Sequence, residues 1–151
     1  MKFEDFIGKG QVRKASKDIS LAKSLVKTAY SDLEFLNTIP LNENSARKVM
    51  GNYYDVLRSV MEAIAALSGY KVYSHEAFAY FLKEKGEVVI AEKFDRFRKI
   101  RNKINYYGKD ISIEEAKENS DEIKKIINVL KLKYVKNHPS ETGGMFSLAM
   151  T

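Results

Sequence analysis

Between Lys93 and Lys109 the chain concentrates side chains suited to phosphate. These are Lys93, Arg96, Arg98, Lys99, Arg101, Lys103 and Lys109, broken only by Asp95 and joined by Asn102, Asn105, Tyr106 and Tyr107. Cleaving an RNA phosphodiester takes a base for the ribose 2′-OH, an acid for the leaving oxygen and cations on the phosphate oxygens. Arginine suits the last task because its planar fork donates two hydrogen bonds to one phosphate. Arg101 is therefore the candidate for the phosphate oxygens, with Tyr106, five residues on, as a hydrogen-bonding or stacking neighbour. Arg98, Arg101, Asn102, Asn105 and Lys109 are the candidates for holding nucleotide or RNA.

Spacing constrains that pair. On an ideal helix, positions 101 and 106 lie about 140° apart, whereas Asn105 lies about 40° from Arg101. Arg101 and Tyr106 converge on one substrate only if the helix unwinds near Gly108 or two copies of it face each other. A phenol with an ordinary pKa of about 10 is also a poor base at neutral pH, where imidazole is well matched. Tyr106 can still donate to a phosphate or stack on a base. The bland alternatives are an ion pair to a neighbouring helix for Arg101, and plain aromatic packing for Tyr106 and Tyr107.

Other chemistries find little support. There is no cysteine, which removes disulfides, thiolate metal sites and cysteine nucleophiles. His75 and His138, the only histidines, do not stand at ligand spacing from each other or from a carboxylate pair. His75, beside a helix start, reads as a structural hydrogen-bonding residue, and His138 as solvated surface. No Gly-x-Ser-x-Gly turn or phosphate-cradling glycine loop occurs, so neither metal nor cofactor is expected. Asp55 and Glu62 share a polar stripe and read as surface carboxylates.

The positioning elements are helical. Ala15, Ile19, Ala22, Val26, Ala29, Leu33 and Leu36 form a core-facing stripe over about Val12 to Leu36. Pro40 and Asn42 end it and start a helix over about Glu43 to Leu67, whose two adjacent apolar stripes make it the central element. Gly69 stops that helix. Ser74 caps a shorter one over Glu76 to Lys85, and Gly86 separates it from a helix over about Val88 to Tyr107. Ser112 with Glu115 matches a capping box opening the last helix, through Tyr134. The reading is all-α: an up-and-down bundle of about five helices without a sheet. Residues 1–139 form one domain, and 140–151 are expected to be a mobile tail.

The chain has 151 residues, a formal net charge of +6 and a pI near 9.3. That balance reads globally as a lysine-rich solvated surface, so the local cluster is more informative than the total. With no apolar leader at Met1–Phe6 and no membrane-length apolar run, a cytoplasmic protein without membrane attachment is expected.

Three segments together carry a resemblance: Asn52-Tyr53-Tyr54-Asp55-Val56-Leu57, Gly69-Tyr70-Lys71-Val72-Tyr73-Ser74-His75-Glu76, and Phe97 through Gly108 with its Arg101-Asn102. They resemble the HEPN family (higher eukaryotes and prokaryotes nucleotide-binding domain) over roughly Ala46 to Ile113. In that family the Arg-Asn segment leads into a catalytic His, and here that position is Tyr106. The resemblance implies a homodimer whose paired helices line a shared cleft, and a role beside a minimal nucleotidyltransferase in a toxin–antitoxin system. In some such pairs a Tyr beyond the His is adenylylated; here Gly108 stands at that position. The leading reading is a HEPN-like nucleotide- or RNA-binding protein with ribonuclease activity weak or lost. The alternatives are an active metal-independent ribonuclease, with Tyr106, Asn105 or a histidine from elsewhere as base, and a purely structural interaction module.

Overall fold

A computed structural model of the chain describes residues 1–135. The expected tail, together with His138 and Pro139, lies outside the described residues. The fold is an all-α helical bundle. Five long helices carry it: α2 (Ile19–Asn37), α3 (Ala46–Leu67), α4 (His75–Glu84), α5 (Val88–Tyr107) and α6 (Ile113–Leu130). A single-turn α1 (Asp5–Gly8) precedes them, and a short π-helix (Lys131–Val135) follows α6.

The central position of α3 follows from its sequence. Its buried side chains include Val49, Met50, Tyr53, Tyr54, Val56, Leu57, Val60, Met61 and Ile64, so apolar surface covers far more than one stripe. Only a helix flanked by several neighbours can bury that arc, and α2, α5 and α6 all pack against it. Small residues Ala63, Ala65 and Ala66 near its C-terminus are also buried.

Two expectations need correction. The chain does contain a sheet: β1 (Val12–Lys14) pairs antiparallel with β2 (Tyr70–Val72), in the register Val12↔Val72. The first long helix consequently starts at Ile19 rather than near Val12, because residues 12–14 are extended. The Asp18 side chain sets the new start by accepting the Leu21 N–H at 2.9 Å. The ribbon is continued by the Ala15 N–H on the Gly69 carbonyl at 2.9 Å and the Asp18 N–H on the Ala66 carbonyl at 3.1 Å. These bonds tie the start of α2 to the end of α3. Gly69 allows the approach: its φ is +84°, and a Cβ there would stand 3.0 Å from the Ala15 oxygen.

The central helix α3 starts at Ala46 rather than near Glu43, after a turn in which Asn42 Oδ1 accepts the Asn44 and Ser45 N–H groups. The starts of α4 and α6 and the end of α5 match the sequence signals. Ser74 Oγ accepts the Ala77 N–H at 3.1 Å and donates to Gln11 Oε1 at 2.8 Å, joining α4 to the approach of β1. Ser112 Oγ accepts the Glu115 N–H at 3.1 Å. Gly108, in the left-handed region, closes α5 with the Lys109 N–H on the Lys103 carbonyl at 3.1 Å. Glu87, before α5, is a buried carboxylate that accepts from Lys133 Nζ at 2.6 Å and the Tyr134 hydroxyl at 3.3 Å. It fastens the π-helix to the start of α5.

Leu57, fully buried in α3, tests the core. Leu57→Ala should cost about 2–5 kcal/mol in denaturant unfolding, the range for a large core side chain that leaves a cavity. A loss below 1 kcal/mol would contradict the central placement of α3.

Candidate functional site

The site forms where α5 crosses α3, around a ring from each. Tyr54 and Phe94 stack with centroids 5.4 Å apart and planes 7° from parallel. Phe94 and Arg101 are two helical turns apart on one face of α5, so both reach Tyr54. The Arg101 guanidinium lies 5.4 Å from the Tyr54 ring centroid, and one of its terminal nitrogens is 3.0 Å from Asp55 Oδ1. That contact uses one of five N–H donors, and Arg101 Nε is buried with no acceptor among the described residues.

Two further arginines belong to this neighbourhood. Arg58, one turn along α3 from Tyr54 and Asp55, lies over Phe78 at 5.7 Å, pairs with Glu62 at 3.8 Å and donates to the Tyr73 carbonyl at 3.4 Å. Arg98 is held by Asp95 at 3.1 Å. Their fields are legible in the titratable groups. Burial, with a smaller push from Asp55, raises the Tyr54 phenol and outweighs Arg58, Arg101 and Arg98, which pull it down. Burial raises the Asp55 carboxyl as well, and outweighs the opposing Arg101 and Arg58 charges. Asp95 goes the other way: its burial is outweighed by hydrogen bonds from Lys99 and Arg98, so its carboxyl lies below the ordinary range.

His75 opens α4 and tilts against Phe94 at 6.5 Å between centroids. Burial lowers its pKa from 6.5, and Arg98 lowers it further, against Asp95 and Glu76, which raise it; Arg58 lowers it too. The imidazole is thereby kept neutral at pH 7 beside two guanidinium groups, as a proton acceptor needs to be.

The structure divides the basic cluster that looks continuous in sequence. Lys93 and Arg96 turn to Glu122 of α6, at 3.7 and 2.7 Å. Arg98 and Lys99 share Asp95, and Arg101 turns to α3. Among the described residues Lys103 and Lys109 make no ion pair. Asn102 is half-buried, whereas Asn105 and Lys109 are exposed. Tyr106 and Tyr107 are 75% and 74% exposed, so aromatic packing on the core does not account for either. Because α5 stays helical through Tyr107, Arg101 and Tyr106 do not converge within one chain.

Asp55 and Glu62 do reach the surface, as the polar stripe implies, and each also pairs with an arginine, Arg101 and Arg58 respectively. Arg58 and Asp95 went unnoticed as site residues. The available signal was spacing: Arg58 stands four residues after Tyr54 and three after Asp55, so it neighbours both on a helix that is otherwise largely apolar. Among the described residues no three His, Asp or Glu side chains converge as ligands for a metal ion, and no helix is long and apolar enough to cross a membrane.

No protein-family model matches the chain, and no curated protein does.

The His75 environment is directly measurable. Its imidazole should titrate below 6.5 in an NMR pH series of the native chain. A lowered folded-state pKa contributes stability that is present above the unfolded value and lost as pH falls through the folded one. His75→Asn should therefore flatten the fall in stability on acidification from pH 7 to pH 5. A midpoint at or above 6.5 would mean that Asp95 and Glu76 outweigh burial.

Proposed function

We propose that the protein is a HEPN-like nucleotide- or RNA-binding module that takes a phosphate on Arg101, with Arg58 and Arg98 supplying the surrounding positive field. The observation that carries the reading is Arg101, whose guanidinium lies over the Tyr54 ring with its Nε unmatched among the described residues, in the electrostatic neighbourhood of Arg58 and Arg98. The Asp55 pair does not explain Arg101 as a stability device. Its partners are 29% and 52% exposed, and an ion pair that open contributes about 0–1 kcal/mol. In this reading the protein works in the cytoplasm as a homodimer, alongside a minimal nucleotidyltransferase in a toxin–antitoxin pair, and its ribonuclease activity is weak or lost because Tyr106 replaces the family's histidine.

A second reading has a specific observation behind it. His75 is a neutral imidazole near Arg98 and Arg58, which suits metal-independent RNA cleavage with a histidine from another helix as base. It would take the 2′-OH proton as that oxygen attacks phosphorus and the P–O5′ bond breaks, leaving a 2′,3′-cyclic phosphate and a 5′-oxygen protonated by water, while the arginines balance charge on the phosphate oxygens.

Arg101→Ala should weaken binding of a short single-stranded RNA by about 1–3 kcal/mol, the range for a lost charge-assisted bond. The native affinity should also fall with added salt as counterions are released. Unchanged affinity in Arg101→Ala would remove the phosphate reading. For turnover, Tyr106→His should create or raise cleavage without added metal if paired copies bring Arg101 and position 106 together. Cleavage by the native chain that survives Tyr106→Phe but is lost in His75→Ala would favour the second reading.

A further inference from the structure

Beside Arg101, on the other side of Asp55, a groove of about 340 Å³ runs between α2 and α3. That volume falls within the range of small-molecule pockets, roughly 300–1,000 Å³. Its floor is apolar, from Leu36 and Val56, both buried. Its walls carry Asp32 and Phe35 from α2 and Asn52, Asp55 and Ser59 from α3. On each helix the lining residues recur at three- and four-residue spacing, so each helix presents one continuous face to the groove. Phe35 is 64% exposed, the most open aromatic on α2 or α3.

The chemistry of these walls selects an occupant. Two carboxylates repel an anion, so a phosphate does not enter, whereas a neutral ring bearing N–H donors is attracted. An ionised carboxylate only accepts, while the Asn amide both donates and accepts. Guanine matches that set: its N1–H and exocyclic amine suit the Asp32 carboxylate, its O6 suits the Asn52 amide, and its face suits Phe35. Adenine offers one amine and an unprotonated N1, which leaves a carboxylate poorly matched. Asp55 lies between this groove and Arg101, where a carboxylate accepts from ribose hydroxyls, as acidic residues do in dinucleotide-binding folds. Base, ribose and phosphate thus map in order onto Phe35 with Asp32, then Asp55, then Arg101.

We propose that the α2/α3 groove is a base pocket selective for guanine, completing a nucleotide site whose phosphate end is Arg101. The inference rests on the phosphate reading above, and its test separates the two. An NMR titration of the full chain with GMP, AMP, UMP and base-free ribose 5-phosphate reports affinity and location together. GMP should bind at least tenfold tighter than AMP or UMP, with shifts at residues 32, 35 and 52. Asp32→Asn and Phe35→Ala alter exposed side chains, so the fold should persist. Each should reduce GMP to the level of the other nucleotides while leaving ribose 5-phosphate binding unchanged, and Arg101→Ala should weaken all four ligands. Arg101-dependent binding with no preference for GMP, or with a preference indifferent to both groove variants, would overturn the base pocket alone. Binding of none of the four, or binding indifferent to Arg101→Ala, would overturn the phosphate reading and the base pocket with it.

Discussion

The stack of Tyr54 on Phe94 is the contact on which the site depends. Both rings are almost fully buried, and Phe78 meets Phe94 edge-on at 6.4 Å and 82°. Aromatic pairs of this kind contribute about 0.5–1.5 kcal/mol beyond the area they bury. Their larger effect is directional, since a flat stack fixes how α5 lies across α3. That placement brings Arg101, two turns further along α5, back onto the ring of Tyr54. It also leaves His75 against the other ring of the pair. A slip of α5 by one residue would turn Arg101 about 100° away from α3 and dissolve the cluster. Arg101 and His75 are therefore registered by an apolar contact rather than by their own charges.

Charge pairing then decides which cations face this point. The chain is basic, yet along α5 most cations are matched to a carboxylate of the same helix, of α6 or of α3. Exposed pairs of this sort contribute little stability. What they do is orient. Glu122 draws Lys93 and Arg96 toward α6, and Asp95 holds Arg98 near His75. The result is a set of individually paired guanidinium groups near Tyr54 rather than a uniform basic face.

The helices were legible because each carries an apolar stripe long enough to show its period, and because Ser74, Gly108 and the Ser112–Glu115 pair are strong local punctuation. The ribbon was not. Three-residue strands are too short to display alternation, and Ala15 happens to prolong the stripe of α2 backwards past Asp18. Gly10 and Gly69, two of the glycines at positive φ, stand just before the two strands and were the available hint. Within the site, Arg101 stood out by composition. Its partner Asp55 is 46 positions earlier, a pairing that only packing of α3 against α5 creates. The same holds for Glu87 with Lys133, which joins two helix ends that no local pattern relates.

The geometry of α5 sharpens the choice between the two chemical readings. The helix runs unbroken to Tyr107, and Gly108 closes it without unwinding the turn that holds Tyr106. Arg101 faces α3 while Tyr106 stands in solvent about 140° around the axis. Joint action of these two residues thus requires a second copy that covers the last turn of α5. That turn offers what an interface or a base-stacking surface uses: two exposed tyrosines with Lys103 and Lys109 beside them. Chemistry through His75 makes no such demand, because the imidazole already shares its surroundings with Arg98 and Arg58 inside one chain. The paired-helix reading therefore buries the end of α5 in the working form, and the His75 reading leaves it open. Solvent access to Tyr106 and Tyr107 in the native assembly is the physical quantity on which the two divide.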